Sequence, residues 1–262
     1  IYMRTISIIN LKGGVAKTTS SINIAYILTQ RGYKVLLVDN DKQGDCSRGM
    51  NRRTSDGDGI DRIMLDRHPD MENLIHKTNY ENLDIITANL GLLTANTEVA
   101  MDHVRPQQNR LKKALQQVSD RYDFCVVDNA PDINVSVINA LTAAEDVLIP
   151  IEVDDNTMEG MKELLEQIEE VKEEVNPDLK TVKCFVTKYQ KRNEAHRQGA
   201  EIVKKWYPTM ETMIRFSVVV AKSTFVRTPV TLYSPRSAAA EDYEKLVTEY
   251  LEMIGGNENG EI

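Results

Sequence analysis

Cysteine, histidine and long apolar runs are all scarce in this chain. Three cysteines (Cys46, Cys125 and Cys184) are scattered through 262 residues, too few and too far apart for a disulfide framework or a cysteine-bound metal cluster. Cys125 falls inside an apolar run, where a free cysteine is usually a packing residue. Four histidines (His68, His76, His103 and His196) show no ligand spacing. No apolar stretch approaches the roughly 18 residues that a membrane helix needs. The opening residues lack the basic and apolar regions of a secretory leader. Met3 reads as the native start, with Ile1 and Tyr2 a remnant ahead of it. These absences point to a soluble chain working in a reducing, cytoplasmic compartment.

Residues 12–19, Lys12-Gly13-Gly14-Val15-Ala16-Lys17-Thr18-Thr19, form a glycine loop with two lysines. An apolar run of strand length precedes it at 5–10. A helical pattern follows it, with Ile22, Ala25 and Leu28 at helical spacing and Gly32 as its stop. A glycine loop between a strand and a helix N-terminus points its backbone N–H groups at one spot, where the helix dipole also favours an anion. In that setting Lys17 supplies a point charge for the β- and γ-phosphates of a nucleotide, and the Thr18 hydroxyl is a ligand for Mg2+. The bland alternative is a tight turn with a solvated lysine. The usual phosphate loop has Gly where this chain has Leu11 and Ala16. Ala16 is tolerable if its φ is negative.

Strand and helix patterns alternate from end to end. Further strands are expected at 34–39, 83–87, 124–128, 147–151, 181–187 and 212–216, and helices near 107–119, 159–175, 194–206 and 238–254. Continuous apolar strands between helices imply an α/β fold with a mostly parallel sheet covered on both faces. No linker, repeat or low-complexity block interrupts it, so residues 3–254 read as one domain and 255–262 as a polar tail. Residues 48–61, polar and glycine-bearing, read as the best candidate for a mobile loop. Two more segments should meet the loop at the carboxyl ends of adjacent strands, where open α/β sheets bind ligands. One is Asp39-Asn40-Asp41-Lys42-Gln43-Gly44. The other is Val126-Val127-Asp128-Asn129-Ala130-Pro131, an apolar strand ending in an acid. Mg2+ needs few carboxylates and keeps several waters.

The pattern Lys-Gly-Gly-x-x-Lys-Thr resembles the deviant Walker A box of the ParA/MinD family of P-loop ATPases, and the resemblance extends over nearly the whole chain. The family's second box runs Asp-x-Asp-Pro-Gln-Gly and its Walker B box commonly ends Asp-Thr-Pro-Pro. This chain departs at Ala16, Lys42, Asn129 and Ala130, none of which removes a charged group. The resemblance implies an ATPase using ATP and Mg2+, with Lys17 and the loop amides holding the phosphates. It implies Thr18 as a metal ligand, with Asp41 and Asp128 acting through water, and Asp41 orienting the attacking water. Lys12 would reach across a homodimer to the partner's phosphates, which ties slow hydrolysis to dimerisation.

Net charge is −8, which by itself argues against nucleic acid. Residues 181–236, however, hold 11 Lys/Arg against Glu194, Glu201 and Glu211, a local charge of +8 that leaves −16 elsewhere. Such asymmetry is either a solvated basic face or an electrostatic footprint. With the resemblance it implies a partition ATPase that coats DNA without sequence preference, associates with the nucleoid when ATP-bound, and is released by a ParB-type partner. Arg215, Lys222 and Arg227 lie where related proteins carry DNA-contacting residues. The acidic amphipathic pattern at 158–175 suits either solvent or a basic partner peptide. A MinD-like membrane cycle would need a basic amphipathic C-terminal helix, whereas residues 243–254 are acidic on their polar face. An iron–sulfur reductase would need bridging cysteines near the nucleotide, which are missing. A nucleotide-gated scaffold with little hydrolysis stays open.

Overall fold

Alternating strands and helices dominate the computed structural model, which describes residues 3–154 and 157–258. The chain runs β1 (Arg4–Ile8), α1 (Lys17–Gln30), β2 (Val35–Asn40), α2 (Asp45–Gly49), α3 (Ile60–Leu65), α4 (Met71–Leu74), β3 (Ile75–Lys77), β4 (Leu83–Ile86), α5 (Gly91–Ala100) and α6 (Arg110–Gln116). It continues through β5 (Phe124–Asn129), α7 (Val135–Ala143), β6 (Asp146–Glu152), α8 (Thr157–Glu174), β7 (Thr181–Thr187), α9 (Glu194–Trp206), α10 (Val218–Phe225), α11 (Val230–Tyr233) and α12 (Ala238–Glu258). The sheet order is β3-β4-β2-β5-β1-β6-β7. Every pairing is parallel except β3 with β4.

Strand composition explains the layering. In β2 the alternate residues Val35 and Leu37 join one core with Ile24, Leu28 and Tyr250, while Leu36 and Val38 join another with Ile63, Leu92 and Leu111. In β5, Phe124 and Val126 divide from Cys125 and Val127 in the same way. Successive side chains of a strand point to opposite faces, so an unbroken apolar run needs helices on both sides. Here α1 and α12 cover one face and α3, α5 and α6 the other. All three cysteines are buried and free.

Some expectations need correction. Residues 212–216 form no strand: Ile214 donates to Val186 and accepts from Tyr189, three residues apart across Lys188 at φ 51°, so the register breaks and only an isolated bridge between Tyr189 and Arg215 remains, while the Arg215 N–H, on the side away from β7, goes to the Asp242 carboxylate. β3 has three residues, too short for a period to show in the sequence. The helix expected near 107–119 is α6, which starts later because the Asn139 side-chain oxygen accepts from the Arg110 and Leu111 amides. Within 48–61, α2 extends to Gly49, and the Asp61 carboxylate accepts from the amides of Gly57 and Gly59. α12 continues to Glu258, inside the stretch read as tail. Residues 1–2 and 259–262 lie outside the described residues.

Candidate nucleotide site

At the carboxyl end of β1 the chain turns into the glycine loop, and the strands on its β6–β7 side hold that loop. Asn10 donates to the Pro150 carbonyl of β6 and accepts from the Lys12 amide. The Thr187 hydroxyl at the end of β7 donates to the Val15 carbonyl at 3.0 Å. Gly14 has φ +79°. Ala16 also lies in the left-handed region, φ 72° and ψ 28°, as the residue before α1. The condition for an unstrained alanine, a negative φ, is therefore not met, and the loop carries a strained Ala16 where glycine would fit without cost.

Lys17, 8% exposed, donates from Nζ to the Lys12 carbonyl at 2.9 Å, laying its ammonium along the inside of the loop. Burial pushes its pKa down, and the negative charges of Asp128, Asp41 and Asp132 pull it back up. Lys12 Nζ pairs with Asp154, just past the end of β6.

The acids come from neighbouring strands. In the β2–β5 register Asp39 lies opposite Asp128 and Asn40 opposite Asn129. Both carboxylates are buried. Asp39 is pushed up to about 6, chiefly by desolvation, although the Ser47 amide and hydroxyl both donate to it. Asp128 is pushed up to about 7 by burial and then by the charge of Asp39, against the opposing effects of Thr18, Ser21 and Lys17. Ser21 donates to Asp128 Oδ1 at 2.8 Å, while the buried Oδ2 makes no hydrogen bond. A buried carboxylate oxygen without a donor, next to a threonine hydroxyl, is chemically suited to a hard divalent cation or its bound water. Asp41, half-buried, accepts from the Gln43 amide in a turn that needs glycine at position 44. A Cβ on Gly44 would stand 2.9 Å from the Ala88 carbonyl oxygen.

Two departures from the family pattern acquire structural roles. Asn129 is buried and turned away from the loop. Its amide donates to Ser7 Oγ and the Ile8 carbonyl and its oxygen accepts from Asn40, tying β1, β5 and β2 together. Lys42 approaches Asp132 at 3.8 Å. Sequence reasoning missed Asp154, Asp132 and Ser21. An acid directly after an apolar strand was the available signal for Asp154.

The three basic candidates separate. Arg215 is locked to Asp242 by two contacts of 2.8 and 2.7 Å and also donates to the Ala238 carbonyl, clipping the chain before α10 to α12. Lys222 is exposed and has no ion-pair partner among the described residues. Arg227, also exposed, has φ 54° and reaches Asn51 at 3.3 Å. Together with Arg48, Thr18, Thr19 and Thr224 it lines a cleft of 370 Å³ beside the start of α1. Elsewhere in 181–236, Lys188, Arg197 and Lys204 are paired with Glu152, Glu194 and Glu211. No described helix is long and apolar enough to cross a membrane.

Comparison with known proteins agrees with this geometry. An AAA domain family matches residues 3–181. The sporulation initiation inhibitor protein Soj of Bacillus subtilis is 34% identical over 248 residues, covering 94% of this chain and 97% of that protein. The chromosome partitioning protein ParA of Caulobacter vibrioides is 31% identical, covering 95% and 94%. Among solved structures, a Mycobacterium smegmatis protein described as cobyrinic acid a,c-diamide synthase, with a bound ATP analogue and magnesium, superposes with a TM-score of 0.84 at 26% identity, covering 97% of each chain. A Borrelia burgdorferi putative plasmid partition protein bound to AMPPNP shares the fold, with a TM-score of 0.80 at 23% identity over 96% of this chain and 99% of that one.

Proposed function

This chain belongs to the ParA/Soj family of deviant Walker A ATPases, and from that premise we propose that it is a partition ATPase. In this reading it dimerises on ATP, binds duplex DNA without sequence preference, and is driven off by a ParB-type partner that stimulates slow hydrolysis. The observation that carries the reading is the convergence of the two-lysine loop with Asp41 and Asp128 at the carboxyl ends of β1, β2 and β5.

The residues divide the work as follows. The amides of residues 13–19 and Lys17 hold the phosphates, and the low exposure of Lys17 strengthens its field there. Mg2+ would be held by Thr18, with Asp41 and Asp128 acting through water, and would neutralise charge on the β- and γ-phosphates. Asp41 orients the water that attacks the γ-phosphorus. A carboxylate is a weak base for water, but phosphoryl transfer depends mainly on positioning and charge stabilisation. Lys12 must leave Asp154 to reach the partner's phosphates, which makes monomer turnover slow. For DNA, non-specific affinity comes from Lys and Arg on phosphates. The exposed Lys222 and Arg227 are well placed for it, whereas the Arg215 guanidinium is committed to Asp242.

The test is ATP hydrolysis and DNA retention with and without duplex DNA. DNA binding should require ATP, fall steeply with salt, and disappear in Lys12→Ala and Arg227→Glu. Retention of DNA by Lys12→Ala without nucleotide would overturn the dimer-gated mechanism. Asp41→Ala should bind ATP and hold the dimer; unchanged turnover would show that Asp41 does not orient water.

A further inference from the structure

On the face of the sheet away from α1, a cleft of 510 Å³ opens between the end of α3 and α6. A single carboxylate shapes it. Asp102, in the turn after α5, accepts from the amides of Val104 and Arg105 at 3.0 and 3.1 Å. Its Oδ2 also takes the guanidiniums of Arg105 and Arg110, at 2.8 and 2.7 Å. These donors, the two amides first, hold the Asp102 carboxyl well below the usual range, so it stays ionised. Each arginine then donates to α3, Arg105 to the Leu65 carbonyl at 2.9 Å and Arg110 to the Met64 carbonyl at 2.7 Å. α3, the turn and α6 are thus tied together, and the cleft has fixed walls before any ligand arrives.

Charge in this cleft is not balanced. One carboxylate cannot neutralise two guanidiniums, so the trio keeps one positive charge. Asp66, the acid on the wall, is spent on Arg62 at 2.8 Å. Arg67, just past α3, and Lys113, on α6, are exposed, line the cleft and meet no acid among the described residues. The surplus is therefore three positive charges: one from the trio, one from Arg67 and one from Lys113. A positive concavity in an otherwise acidic body concentrates anions. Ile63, Pro69 and Val104 give it an apolar wall, with Val104 93% exposed at the lip. Its size falls within the range of about 300–1,000 Å³ typical of small-ligand sites, whereas a duplex needs its cations along a stripe of phosphates. Arg67 offers a planar fork to phosphate oxygens and Lys113 a point charge. We propose that this cleft binds a small phosphorylated compound, its phosphate between Arg67 and Lys113 and its body against Ile63 and Val104. The cleft shares no residue with the phosphate loop, so failure of this inference leaves the nucleotide chemistry untouched.

His68 also lines the cleft, and its ring-proton NMR resonances, assigned with His68→Asn, report on the cleft and not on the phosphate loop. The probe is inorganic pyrophosphate, titrated into the full chain at fixed pH and ionic strength. The His68 resonances should shift and saturate below millimolar pyrophosphate. The double variant Arg67→Ala/Lys113→Ala, at two exposed positions, should weaken this binding at least about fivefold, and Lys113→Arg should retain it. Lys17→Ala, which cripples the phosphate loop, should leave the His68 titration unchanged. Four results would overturn the proposal: no saturable shift up to millimolar pyrophosphate, an undiminished shift in the double variant, an equal shift with sulfate, or a shift with a short DNA duplex but none with pyrophosphate, which would give the face to nucleic acid.

Discussion

Replacing Ala16 by glycine should stabilise this protein, although the change removes a methyl group and adds freedom to the unfolded chain. Ala16 sits at φ 72° and ψ 28°, immediately before α1. For an L-residue with a Cβ this region costs roughly 1–2 kcal/mol. Glycine escapes that cost but loses about 0.4–1 kcal/mol through the greater entropy of the unfolded state. The difference leaves a net gain of about 0.5–1 kcal/mol, or a rise in Tm of roughly 1–4 °C for a domain of this size. The opposite change at Gly14, φ 79°, where alanine would acquire the same strain and the same unfolded-state offset, should destabilise by about 0.5–1 kcal/mol. Urea unfolding of the ligand-free protein at one pH reads both. A loss of stability in Ala16→Gly, or effects of the same sign at the two positions, would refute the argument and put Ala16 at negative φ. ATP affinity is a separate readout, and the amides at 16–18 should keep it within a few-fold.

Asn129→Thr restores the usual family residue but should destabilise by about 1–3 kcal/mol, because threonine cannot replace three hydrogen bonds and leaves Asn40 and the Ile8 carbonyl short of partners; thermal unfolding measures it, and a neutral result would contradict the buried network. The raised values of Asp128 (about 7) and Asp39 (about 6) mean that between pH 4 and 7 the folded state holds more protons than the unfolded state. Ligand-free stability should therefore fall as pH rises through that window. Asp128→Asn should flatten the slope and add on the order of 2–4 kcal/mol at pH 7.5, while abolishing stabilisation by Mg2+ with ATP; urea unfolding at pH 5 and 7.5 decides, an unchanged slope counting against it. Asp154→Asn frees Lys12 and should tighten the ATP-dependent dimer by about two- to fivefold in analytical ultracentrifugation, where a weaker dimer would give Asp154 a different role.

The glycine loop, the two acidic strand ends and the parallel sheet were legible because each leaves a local trace: glycines at fixed offsets, unbroken apolar runs, an acid closing a run. What stayed hidden depends on partners far away in sequence. Arg215 looked like a free cation until Asp242, 27 residues on, was seen to hold it. Asn129 stood out only as a departure from the family pattern, yet its partners Ser7 and Asn40 make it a tie between strands. The left-handed backbone of Ala16 could not be inferred from alanine, which gives no sign of that conformation. Residues 212–216 had the composition of a strand, but the left-handed Lys188 on the neighbouring chain breaks the register after a single bridge.

The hydrogen bond between Asn40 and Asn129 has a consequence for how the chain reaches this state. β2 and β5 are about ninety residues apart, and both are apolar enough to pair in several alignments. A slip of one residue would throw Asp39 to the opposite face of the sheet and leave the buried Asn129 side-chain oxygen without its donor. Only the alignment that places Asn40 beside Asn129 supplies that donor. The same alignment brings Asp39 beside Asp128, so misaligned intermediates lack the paired acids. Nucleotide with Mg2+ should then favour the correctly aligned chain over its slipped competitors and act as a proofreader late in folding.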